Sequence, residues 1–233
     1  MLKVQYSEGR RRRLSPGVVL GASLAFFPQL LFGQASRQYP RRDFQGWTAL
    51  SVAHPLSEST ELLVGGELRY GDDQGHTIYR KISSGFAFHW HRFVTLEPYY
   101  QYSVSDSLTG AITPENRIAF AATAGTPWKR WELSDRNTGE RRFLENARDW
   151  RYRNRVELRR PVTVFRSQMS VFAWDEVFYS STFGKWYRNR FAVGAGRRLS
   201  RRVSIDVFYV RQNDGVSRPG DLNALGMTFR TRF

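Results

Sequence analysis

Hydrophobic and polar residues alternate along most of this chain, in stretches of about ten residues. From Leu62, one face reads Leu62, Val64, Gly66, Leu68 and Tyr70, and the other reads Leu63, Gly65, Glu67 and Arg69. From Val94, the face Val94, Leu96, Pro98, Tyr100, Tyr102 and Val104 opposes Thr95, Glu97, Tyr99, Gln101 and Ser103. The contrast is sharpest from Trp150, where Trp150, Tyr152, Asn154, Val156 and Leu158 alternate with Arg151, Arg153, Arg155, Glu157 and Arg159. Strand side chains repeat every two residues, so each stretch predicts a strand with one apolar and one polar face. Further strands are predicted at Trp47–His54, Ile78–Trp90, Glu115–Ala124, Trp131–Arg142, Gln168–Tyr179, Trp186–Arg198, Arg202–Arg211 and Leu222–Phe233. That makes eleven. Turn signals separate them, among them Pro55 to Ser59, Gly71-Asp72-Asp73, Gly125-Thr126-Pro127, Asn213-Asp214-Gly215 and Pro219-Gly220.

The fold class is therefore all-β. Alternation fits two architectures: a soluble sandwich or lipocalin-like barrel with apolar residues inside, and a membrane barrel with the partition reversed. Trp47, Tyr70, Trp90, Tyr102, Trp150 and Tyr209 stand near strand ends on the apolar faces, as aromatic girdles at two interfaces would require. Arg and Glu share the polar faces, which suits a narrow lumen where ladders of charge neutralise one another. Short connections (His89 to Phe93, Gly125 to Arg130, Arg198 to Arg202) alternate with longer ones (Ser105 to Pro114, Phe143 to Asp149, Gln212 to Asp221). The last strand alternates Leu225, Met227, Phe229 and Thr231 with Gly226, Thr228, Arg230 and Arg232, and ends on Phe233. It looks like the closing strand of bacterial outer-membrane barrels, whose terminal aromatic is an assembly signal. The expected fold is a closed, antiparallel, up-and-down transmembrane β-barrel. Single-chain bacterial barrels have even strand numbers. Twelve strands are therefore expected, with one more in Arg41 to Trp47 or Thr109 to Pro114, and ten is the second choice.

The first residues follow a different logic. Lys3 and Arg10 to Arg13 give a basic start, Val18 to Phe27 an apolar run, and Gly33-Gln34-Ala35 small residues where a signal peptidase reads. This is the layout of a secretory signal peptide over residues 1–35, cleaved after Ala35. Residues 36–233 are left as one barrel domain.

Composition then narrows the partners. The chain has 233 residues, 15% aromatic, with a mean hydropathy of -0.52. A helical membrane bundle would need several apolar runs of about 20 residues, and a disordered chain would be poor in aromatics. With no cysteine, disulfide scaffolds, thiolate metal sites and cysteine nucleophiles are excluded. The formal charge of +15 falls to +11 once Lys3, Arg10 to Arg13 and Glu8 are removed. A charge of this sign suggests nucleic acid, yet an exported chain seldom meets it. Only four basic residues are lysines. Arginine suits partly buried ion pairs because its planar fork bonds carboxylates bidentately.

Glu67-Leu68-Arg69, Glu115-Asn116-Arg117-Ile118, Leu133-Ser134-Asp135-Arg136-Asn137, Arg151-Tyr152-Arg153-Asn154-Arg155, Asp175-Glu176-Val177-Phe178, and Asn189-Arg190 followed by Gly194 occur in that order. The set, over about Phe44 to Phe233, resembles a bacterial outer-membrane β-barrel family of unknown function, of the DUF2490 type. That resemblance implies fold and location, and carries over no activity and no catalytic residue.

The candidate site is a lumenal charge ladder of Glu67, Arg69, Glu97, Glu115, Arg117, Arg151, Arg153, Arg155, Glu157, Arg159, Glu176, Arg188, Arg190, Arg230 and Arg232. Asp175-Glu176 is unusual inside an aromatic strand. One of the pair is expected to face the lumen and meet Arg, the other to lie at the membrane edge. The alternative is a lumenal carboxylate site for a cationic or sugar ligand. His89 and His91 would share a strand face, but two ligands fall short of a zinc site. No nucleophile elbow, phosphate loop or zinc-protease motif occurs. His76 is the one histidine placed at an outer rim, with no serine tied to it by a motif. The expectation is a non-enzymatic outer-membrane barrel without metal or cofactor: an envelope scaffold, a small anion-favouring pore or a ligand-binding barrel. Its partners are the lipid bilayer, the assembly machinery and an unidentified small molecule or ion. The alternatives are an outer-membrane lipid-modifying enzyme and a soluble periplasmic lipocalin-like barrel.

Overall fold

The computed structural model describes residues 42–71, 75–106, 111–145, 147–217 and 220–233. The expected signal peptide and its cleavage after Ala35 lie outside them. The described residues form eleven strands: β1 (Arg42–Pro55), β2 (Thr60–Gly71), β3 (His76–His91), β4 (Val94–Asp106), β5 (Ile112–Trp128), β6 (Trp131–Leu144), β7 (Ala147–Val164), β8 (Ser167–Ser180), β9 (Lys185–Arg198), β10 (Val203–Asp214) and β11 (Asp221–Arg232). Each strand pairs with its sequence neighbours and the sheet closes on itself. The eleven predicted strands are these eleven. The two places where a twelfth was expected are the start of β1 and the start of β5.

An up-and-down wall reverses direction at every strand, so an odd number leaves the first and last strands pointing the same way. β1 and β11 accordingly pair in parallel, through the register Arg42↔Asp221 to Gln45↔Ala224, while every other neighbouring pair is antiparallel. The seam is drawn together again at its far end, where the Phe233 amide donates to the Ala53 carbonyl at 3.2 Å.

One rim carries the connections β1–β2, β3–β4, β5–β6, β7–β8 and β9–β10, and the opposite rim the other five. The β7–β8 turn is two residues long, and Phe165 and Arg166 both take positive φ, 44° and 63°. A two-residue turn of this hand matches the strand twist, although neither residue has glycine's freedom. The β6–β7 connection is not a long loop as predicted. β6 and β7 extend until two residues separate them.

Side-chain partition is inverted relative to a soluble domain. Ile82, Trp90, Ile118, Phe120, Trp150 and Leu225 are exposed on the outer face, while Glu97, Glu140 and Thr95 are fully buried inside. Some inward positions are apolar: Trp47, Phe172, Trp174, Ala192, Val210, Leu222 and Ala224 pack together on one side. Small residues make room there. A Cβ on Gly194 would sit 2.6 Å from both Phe172 and Phe208. Trp47, expected in the outer girdle, belongs to this inner cluster and is buried. Its position on β1 shares the inward face with Gln45, whose Oε1 accepts from the indole at 2.8 Å.

Candidate functional site

Alternation delivers the polar face of nearly every strand into the lumen, and the charges meet there in one large network and several smaller ones. On β2 and β3, Arg69 Nη2 lies 2.5 Å from Glu67 Oε1, and Lys81 also bonds Glu67. On β5 to β7, Arg117 and Arg142 both bond Glu115, and Arg142 continues to Asp149 at 3.0 Å. Glu140 on β6 receives Arg151 at 2.5 Å and Arg153 at 2.7 Å. Glu176 on β8 has Arg153 and Arg155 at 3.3 Å and Arg190 at 3.8 Å. Arg159 bonds Glu157 at 2.9 Å and Asp206 at 2.8 Å, and Arg230 joins Asp206. Arg188 pairs with Asp214 at 2.5 Å, Arg136 with Glu97, and Arg232 with Glu61.

All fifteen residues of the predicted ladder therefore make ion pairs within this set. Sequence reasoning missed Glu61, Lys81, Arg136, Glu140, Arg142, Asp149, Asp206 and Asp214. Glu140 and Arg142 were hidden because the outer face of β6 is polar too, so alternation there gave no contrast. Asp206 was legible: it alternates with Ile205 and Val207 on β10.

Aromatic rings carry the guanidinium groups that carboxylates do not fully hold. Trp47 carries Arg69, 4.0 Å from the ring centre, and Arg190, 4.9 Å away. Arg155 stacks on Trp174 at 4.2 Å and Arg159 on Phe172 at 4.3 Å. Each stack offsets part of the desolvation a buried cation suffers. Some contacts reach past neighbouring strands. Arg153 on β7 donates to the Tyr99 hydroxyl on β4 at 3.2 Å, and Arg136 on β6 reaches Glu97 on β4.

What remains open is a cavity of about 880 Å3. Among the described residues, thirteen Lys or Arg and eight Asp or Glu line it. The Nε atoms of Arg153 and Arg155 are buried and meet no acceptor among the described residues.

The histidines are placed apart from this cavity. His89 Nδ1 lies 3.3 Å from Thr95 Oγ1, with Nε2 3.7 Å from Glu61. The order carboxylate, imidazole, hydroxyl matches a nucleophile relay, but Thr95 is fully buried and no substrate atom can approach its oxygen. His91 packs on Phe93, and His76 is exposed at the start of β3. Glu176 is surrounded by arginines, which disfavours the cationic-ligand alternative.

A closed barrel with an apolar exterior and a charged, hydrogen-bonded interior is an outer-membrane-type β-barrel. Residues 44–223 match the family described as "Protein of unknown function (DUF2490)", and the chain belongs to that family. Among solved structures, LpxR from Salmonella typhimurium is similar at 9% identity and a TM-score of 0.49, over 78% of this chain and 86% of that one. A structure of the NanC porin is similar at 11% identity and a TM-score of 0.48, over 80% and 94%. The beta domain of the Bordetella autotransporter BrkA is similar at 10% identity and a TM-score of 0.46, over 78% and 86%. No curated protein matches the sequence.

Proposed function

We propose that the protein is exported, inserts in the bacterial outer membrane, and works without catalysis as a narrow, cation-lined barrel that admits or holds small anions. The observation that carries this reading is the surplus of basic side chains on the cavity lining, thirteen against eight acidic, of which two remain once Glu140, Asp149 and Asp214, buried behind the lining, are set against it. Walls of low dielectric focus such an excess into a positive potential. Arg155 is the side chain best placed to touch an anion. It is the most exposed guanidinium around Glu176, and it is held over Trp174 at 4.2 Å. The inward ion pairs and the Arg153–Tyr99 contact occupy much of the lumen, so free flow of large solutes is disfavoured. The inverted partition of side chains supports the membrane location, since exposed Ile82, Ile118 and Phe120 suit hydrocarbon rather than water.

Planar-bilayer recording with the purified barrel is the test. Small currents with anion preference, reduced in preference by Arg155→Glu, are expected. Large cation-selective channels would overturn the reading.

A further inference from the structure

At mid-height the outer wall is apolar except on one side. On β6, β7 and β8, Asp135, Asn137, Asn154 and Asp175 point outward, in alternation with Arg136, Thr138, Arg155 and Glu176, which point inward. The first three are hydrogen-bonded to one another. Asn154 Nδ2 donates to Asp135 Oδ1 at 2.5 Å and to Asn137 Oδ1 at 3.1 Å. The Tyr152 hydroxyl donates to Asn137. Asn189 on β9 donates to both oxygens of Asp175, at 2.8 and 3.0 Å.

These groups lie at mid-height. Asp175 stands well inside β8, which runs from Ser167 to Ser180, not at the membrane edge as the sequence suggested. Asn137 is the register partner of Asn154, and Val156 that of Asp175. In a wall tilted by about 40°, one step between strands along the register climbs about 3 Å, and one residue along a strand about 2.5 Å. Asn137, Asn154 and Asp175 then fall within about 4 Å of one level. Elsewhere around the barrel that level is held by Leu50, Phe120, Val193 and Met227. A carboxylate facing hydrocarbon at that depth is strongly disfavoured. Resting on the membrane reading above, the patch has to be covered by protein.

We infer that a second copy of this chain covers it, in a twofold dimer whose axis runs along the membrane normal beside Asn154. The patch is self-complementary about β7, with the Asn137 carboxamide on one side and the Asp175 carboxylate on the other. A twofold contact places the same surface on both sides. Rotation about Asn154 sets Asn137 opposite the partner's Asp175, and Asp175 opposite the partner's Asn137, at matching heights. Asn154 lies on the axis beside its own copy, with both of its N–H groups already given to Asp135 and Asn137 of its own chain.

The chain has no cysteine, so single cysteines report contacts cleanly. Asn154→Cys, oxidised in native membranes, is expected to give a disulfide-linked species of twice the chain mass. Val64→Cys, on β2 across the barrel, is expected to stay single. Light scattering of the detergent-solubilised wild type should give the dimer mass. Asn137→Leu combined with Asp175→Leu should give the monomer mass while keeping the heat-modifiable migration of a folded barrel. A monomeric Asn154→Cys would overturn the dimer, as would a cross-link to a protein of another mass. A fluorophore attached to the introduced thiol of each variant gives a further reading. Quenching by spin-labelled lipid as strong in Asn154→Cys as in Val64→Cys would show lipid on the patch and overturn the dimer too. Failure of the wild type to sediment with membranes would instead refute the membrane reading, and the dimer with it.

Discussion

Arg159 on β7 reaches past two strands to Asp206 on β10, with Nη2 2.8 Å from Oδ2. Asp206 also holds Arg230 from β11, so one carboxylate ties three strands across the curve of the wall. Bidentate geometry makes the Arg159 contact directional as well as strong: its Nη1 lies 3.3 Å from Asp206 Oδ1.

Removing that carboxylate leaves two guanidinium groups inside the barrel with one partner fewer. Asp206→Asn should therefore destabilise the folded barrel by about 3–5 kcal/mol. Asp206→Asn with Arg230→Gln should recover part of the loss, because one of the stranded cations is gone. Urea unfolding in lipid vesicles, followed by the shift between folded and unfolded migration, measures both.

Val156 and Arg155 are neighbours in sequence and opposites in environment: Val156 is exposed on the outer wall and Arg155 points at Trp174 and Glu176. Val156→Arg would put a charge among lipid chains at a cost of about 2–4 kcal/mol, so insertion into vesicles should drop sharply. Arg155→Val should insert normally and lose anion preference. Equal insertion of the two variants would contradict the inverted partition.

Trp47 carries two arginines over its ring, Arg69 and Arg190. Trp47→Ala should cost about 3–5 kcal/mol from lost packing and an unfilled cavity, and should widen the lumen. Trp47→Phe keeps a ring face and should recover part of the loss. Single-channel conductance is expected to rise in the alanine variant and to stay near wild type in the phenylalanine variant.

Processing is open to a direct check. If export removes residues 1–35, protein extracted from membranes begins at Ser36 under N-terminal sequencing. A chain that still begins at Met1 would refute the cleavage.

Strand existence was legible because the period-two contrast is large wherever a wall divides charge from apolar surface. Trp150 to Arg159 shows this best, with arginine at four of its five inward positions. Strand ends were less legible. β7 continues through Arg160 and Pro161 to Val164, past the point where alternation fades, because backbone pairing with β8 continues there. The ladder was legible as residues but not as pairs: which arginine meets which carboxylate depends on register and curvature, as in Arg136 reaching Glu97 across β5. Trp47 was misplaced because large aromatics occur at both membrane interfaces and, stacked on arginines, in polar interiors. The outward polar patch was masked by the same alternation that revealed the strands, since Asp135 and Asn137 made both faces of β6 look hydrophilic.

The odd strand count has a further consequence, one of parity. A barrel with an even number of strands brings its chain back to the side from which it set out. Here the parallel β1–β11 seam leaves the start of β1 at the rim of the β10–β11 loop, and Phe233 at the other rim beside Ala53. The described polypeptide thus makes one net passage from rim to rim. An epitope inserted just ahead of Asp43 and another joined after Phe233 would be reached by antibody from opposite sides of a sealed vesicle.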